Sequence, residues 1–203
     1  MAVKVIDLKC SGCGNALAAT DTECAYCGNP VIVSSFNAIK DASLPAINKL
    51  AKNLERELAR DPEEQGQEKR FTIGCCYLRL KLYDKAIAEF EAAIENNFDN
   101  PEPAFYAAVA LLRGKKAFVT PLPLIKKALE YIGAAIMIEE RGIFFMYSAY
   151  IKYDFYARKS LRISPSYIDD MSRAREANVP PADVQTLFSL LGVEPPSQIS
   201  ELL

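Results

Sequence analysis

A chain of 203 residues, half of them apolar and a quarter charged, is long enough for one or two domains and carries enough apolar material for a sizeable core. Its formal net charge of -2 supplies no global field that would draw it to nucleic acid or anionic lipid. It contains no histidine, which excludes a Ser-His-Asp triad, a Cys-His dyad and any imidazole ligand, so a bound metal must be held by thiolates or carboxylates.

The N-terminus, Met1 to Asp7, lacks the long apolar core of a secretory signal, and the longest uncharged apolar stretch, Tyr131 to Ile138, is too short to span a bilayer. The expected location is the cytoplasm, with no membrane association. Thiols stay reduced there, and Cys-x-x-Cys pairs read as metal ligands rather than disulfides. Three zones are expected: a metal ribbon over 1–33, a linker with one amphipathic helix over 34–66, and a helical domain over 67–203.

The first zone holds four of the six cysteines, as Cys10-Ser11-Gly12-Cys13-Gly14 and Cys24-Ala25-Tyr26-Cys27-Gly28. Two residues between thiols let one tight turn place both sulfurs on the same ion. The glycine that follows supplies a positive φ and a close backbone approach to the sulfurs. The pattern resembles the short zinc ribbons at the N-termini of bacterial proteins. That resemblance implies one Zn²⁺ bound by Cys10, Cys13, Cys24 and Cys27, a closed four-thiolate site that is structural and not catalytic. Disulfides, unrelated cysteines or an iron site are the competing readings. The only base among residues 8–28 is Lys9, set against Asp21 and Glu23, and Tyr26 is the one aromatic candidate for base stacking, so the ribbon is not expected to bind nucleic acid.

In the second zone Leu44, Ile47, Leu50, Leu54 and Leu58 fall at helical spacing, with Ser43 as cap and Pro45 in the first turn. Further helices are expected over about 62–80, 84–97, 102–113, 122–139, 142–160, 166–177 and 181–191, with a short tail helix after Pro196. The segment 102–113 is almost wholly apolar and must be buried on most sides.

Gly74, Tyr77, Ala86, Phe90, Ala93 and Pro101 reproduce the small–aromatic–small series and closing proline of a tetratricopeptide repeat, which this stretch resembles. Looser units follow on Ala107, Ala128, Ile132 and Ala135, and then on Ser148. The resemblance spans roughly 63–178 and implies a mostly α fold: a tetratricopeptide-like solenoid of helix hairpins, ended by C-terminal capping helices. An irregular bundle with one repeat-like hairpin is the alternative. Such stacks hold peptides or helices in a groove lined by their first helices. Here those positions are Phe71, Cys75 and Leu78, then Ala104, Ala108 and Leu111, then Phe145, Ala149 and Tyr153. This apolar set suits an amphipathic helix or extended segment of a partner protein unless a helix of the same chain fills it, and it lacks the Lys and Asn of carboxylate-clamping repeats.

The expected function is that of a non-enzymatic protein–protein interaction adaptor, in which homo-oligomerisation stays open. No phosphate loop or nucleotide fingerprint is present, and the expected metal site is closed. The alternative is an RNA- or DNA-binding accessory or regulatory factor. It would use the ribbon and the bases Lys126, Lys127, Arg158, Lys159, Arg162, Arg173 and Arg175, for which a solvated face is the default reading.

Overall fold

The computed structural model describes residues 42–62, 66–95 and 99–200, together with 13, 15–17, 24–26 and 28. The described chain is mostly helical and divides into two compact units, residues 1–97 and 98–203. The boundary falls inside the stretch expected as one helical domain. No helix among the described residues is long and apolar enough to cross a membrane.

The first unit opens on α1, Leu44–Arg60, where Ser43 Oγ accepts the Ala46 N–H at 3.4 Å and Pro45 fits the first turn. Its stripe of Ile47, Leu50, Ala51 and Leu54 is buried, and the helix packs on α2, Gly66–Arg79. Residues 63–65 and 96–98 lie outside the described set, and with them the expected end of the following helix; Pro62, expected to open α2, is a bend ahead of it.

A tight turn joins α2 to α3, Tyr83–Ile94. Lys81 adopts φ +59°, and the Leu82 N–H reaches back to Tyr77 O at 2.9 Å, which satisfies a last-turn carbonyl of α2. The two helices meet at Gly74, where an added Cβ would lie 2.6 Å from the Phe90 ring. Phe71 stands at 6.0 Å from the same ring, and Arg70 pairs with Glu89 across the hairpin at 3.2 Å. The close crossing expected at Gly74 is therefore present. The Tyr77 ring lies under Lys85 of α3 at 5.2 Å, and its hydroxyl donates to Glu55 of α1.

The second unit contains α4, Glu102–Leu111, and α5, Leu122–Ile138. Nine of the ten residues of α4 are buried, as its apolar composition requires, whereas α5 buries the single stripe Ile125, Ala128, Ile132 and Ala135. The next hairpin pairs α6, Gly142–Ile151, with α7, Tyr167–Glu176. Tyr147 Oη donates to Ala108 O at 2.9 Å and ties α6 to α4. Ser166 and Asp169 close a reciprocal capping box on α7.

One expected helix departs from regularity. The α register over 142–160 ends at Ile151, continues as a π turn over Lys152–Tyr156 and a 3-10 turn over Ala157–Lys159, and stops at Ser160 with φ +57°. The physical reason lies in two charged residues. Lys152 and Asp154 are both buried, and the widened turn serves two different partners: Lys152 pairs with Asp170 of α7, and Asp154 accepts the Phe118 N–H of the 112–119 connector.

The chain ends with α8, Pro181–Leu191, and α9, Ser197–Ser200. α8 lies against both α4 and α6, and Gly192 closes it at φ +64°.

Candidate functional site

Two of the four expected metal ligands are described. The sulfurs of exposed Cys13 and buried Cys24 are 3.6 Å apart. A disulfide would hold them at about 2.05 Å. Two thiolates at about 2.3 Å from one tetrahedral zinc would stand roughly 3.8 Å apart. The observed separation is longer than a disulfide and is that of an S–H···S contact between two free thiols.

Gly28 has φ +75°, and its N–H donates to Cys24 O at 2.9 Å. A Cβ there would meet nothing within 4 Å, so the backbone angle and not space is what requires glycine. This is the turn expected after the second Cys-x-x-Cys pair. Tyr26, inside that pair, is 78% exposed. Cys10 and Cys27, expected as the other two ligands, lie outside the described residues. The residues that are described fit a thiolate-bound ion.

The expected groove positions are covered. Phe71, Cys75, Leu78, Ala104, Ala108, Leu111, Phe145 and Ala149 are all buried, and only Tyr153 is half-exposed. α1 packs on α2 in the first unit, and α8 lies on α4 and α6 in the second. Phe188 of α8 meets the Tyr150 ring edge-on at 5.3 Å. As the chain stands, its own helices occupy faces on which a partner segment was expected.

Cys75 and Cys76 are fully buried, and burial pushes the Cys76 thiol up to about 12. Neither is a reactive nucleophile. The aromatic run is core: Phe144, Phe145, Tyr147, Tyr150 and Phe155 are buried, and burial holds the Tyr147 hydroxyl well above its ordinary pKa.

A polar cluster at the π turn escaped the sequence reading. Asp154 is buried, accepts the Phe118 N–H at 2.7 Å and pairs with Arg158 one turn on. Arg158 and Lys159 both lie over the Phe118 ring, at 4.6 and 4.9 Å. A cavity of about 310 Å³ adjoins the cluster, bordered by Lys116, Tyr150 and Tyr153 and by tail residues 194–198. The available signal was the presence of Lys152 and Asp154 within an otherwise aromatic run.

Several bases that could have formed a nucleic-acid face have other roles. Arg158 is paired with Asp154, and Arg173 reaches Glu140 at 2.6 Å while covering the Phe145 ring. No protein-family model matches the chain, and neither a curated protein nor a solved structure matches it.

Proposed function

We propose that this protein is a non-enzymatic adaptor, in which a structural zinc ribbon is joined to helical hairpins that hold a segment of a partner protein. Cys10, Cys13, Cys24 and Cys27 would bind one Zn²⁺ in a closed, four-thiolate site, and the ion would supply the folding energy that so short a segment cannot draw from a core. The observation that carries this part is the 3.6 Å separation of the Cys13 and Cys24 sulfurs, together with the left-handed Gly28 turn. A reducing compartment, the cytoplasm by default, would keep the thiols available.

The repeat-like part of the reading rests on the Gly74–Phe90 crossing, where the small residue of one helix receives the aromatic of the next. The hairpins of α2 with α3, α4 with α5 and α6 with α7 would then be units of a tetratricopeptide-like stack. Elemental analysis of the purified chain tests the metal site. One zinc per chain is expected, and it should be lost in Cys13→Ser and Cys24→Ser. A metal-free chain, or full retention in both variants, would overturn the assignment. Quantitative recovery of a specific partner by the wild-type chain, sensitive to substitutions on the first helices, tests the adaptor role. A salt-sensitive shift with mixed RNA and DNA would favour a nucleic-acid factor instead.

A further inference from the structure

The π turn gathers unlike groups around one cavity. Tyr150, Asp154 and Arg158 follow one another at four-residue spacing and face the 112–119 connector, where they meet Ala117 and Phe118. The cavity of about 310 Å³ lies beside them, and Lys116 of the connector and Pro195 and Pro196 of the tail complete its lining. Fully buried Ile199 anchors that tail. The volume falls at the lower end of the range for small-molecule sites, about 300–1,000 Å³, and π turns inside helices often mark functional sites.

The buried acceptor of this cavity is engaged, whereas its donors are not. Asp154 takes the Phe118 N–H on Oδ2 and Arg158 on Oδ1. The buried Tyr150 hydroxyl accepts the Ala117 N–H at 3.4 Å, but its own proton meets no acceptor among the described residues. Burial, and then the charge of Asp154, push this hydroxyl up to about 12, so it keeps its proton at neutral pH. Arg158 commits one nitrogen to Asp154 and lies over the Phe118 ring at 4.6 Å, which fixes the guanidinium before a ligand arrives. Lys116 makes no ion pair among the described residues. Unspent donors call for a ligand that brings acceptors. Asp154 matches the charge of Arg158, which leaves Lys116 as the one uncompensated cation against the exposed Glu194 at the rim. That balance suits a singly charged oxyanion better than a phosphate dianion. We propose that this cavity binds a small organic carboxylate, with its oxygens on Tyr150, Arg158 and Lys116 and its apolar body against Pro195 and Pro196. Of the positions expected to line a partner groove, only Tyr153 borders the cavity, so the adaptor reading and this site stand or fall separately.

The test titrates the isotope-labelled full-length chain with benzoate and follows backbone amide shifts by NMR. Benzoate should shift the amides of Ala117, Phe118 and Ser197 saturably. Benzamide, its uncharged counterpart, should bind roughly tenfold more weakly or not at all, because it forgoes the charge-assisted hydrogen bonds. Lys116→Gln, at an exposed position, should weaken benzoate several-fold with an unchanged melting temperature. Tyr150→Phe keeps the ring that Phe188 meets edge-on, removes only the hydroxyl, and should weaken benzoate as well. No saturable shift with benzoate, equal affinity for benzamide, or affinity untouched by Lys116→Gln would overturn the proposal. Inorganic phosphate moving the same amides with higher affinity than benzoate would overturn the carboxylate assignment.

Discussion

At the scale of single residues, glycine has two distinct tasks in this chain. Gly28 is required by its backbone angle, since nothing stands where its Cβ would be. Gly74 is required by space, since the Phe90 ring lies 2.6 Å from that point. Phe90 is itself fully buried and braced by Phe71, so it cannot swing away cheaply. Gly74→Leu should therefore force α2 and α3 apart and cost about 3 kcal/mol or more, at or above the upper end for overpacking. Gly74→Ala should cost about 1–3 kcal/mol. Urea unfolding monitored by circular dichroism reads both, and a Gly74→Leu chain with an unchanged midpoint would contradict the crossing. Both glycines were legible in the sequence, because each sits in a motif whose geometry depends on it.

At the scale of elements, helix existence followed from apolar periodicity and punctuation. α1 matches the expected capping, with Ser43 and Pro45 in place, and α8 begins at Pro181 and stops at Gly192 as those residues dictate. The π turn did not follow, because its cause is long-range. Lys152 Nζ lies 2.6 Å from Asp170 Oδ2, with both side chains nearly sequestered from water, and this pair joins the π turn to α7. Removing one partner leaves the other charge buried and uncompensated. Lys152→Met should thus destabilise the chain by about 3–5 kcal/mol, whereas the double substitution Lys152→Met with Asp170→Leu should recover most of that loss. Thermal melts of the single and double variants form the check, and additive losses would show that the pair is not coupled. The burial of α8 is also an element-scale fact. Three apolar side chains contribute roughly 5–9 kcal/mol before ordering entropy is subtracted, enough to hold the helix down.

At the scale of the whole molecule, the proposed metal segment and the helices would draw stability from different sources. Each helical unit has its own buried apolar side chains, while the proposed ribbon would depend on its ion. Chelation at neutral pH should therefore expose the four N-terminal thiols to alkylation while far-ultraviolet circular dichroism changes little. Cys75 and Cys76, fully buried and with the Cys76 thiol pushed up to about 12, should stay unmodified until the helices unfold. Mass spectrometry of the alkylated chain distinguishes the two sets, and modification of all six cysteines in step with chelation would contradict the separation. The sequence by itself determined the helical class, the helix limits set by Ser43, Pro45, Pro181 and Gly192, and the Cys-x-x-Cys-Gly spacing, because each depends on a few residues close together along the chain. Only the tertiary structure decided that α1 covers α2, that α8 lies on α4 and α6, and that Lys152 and Asp154 turn inward. An amphipathic stripe shows that a helix must be covered without showing by what, and a buried charge is tolerated only where a distant residue supplies its partner.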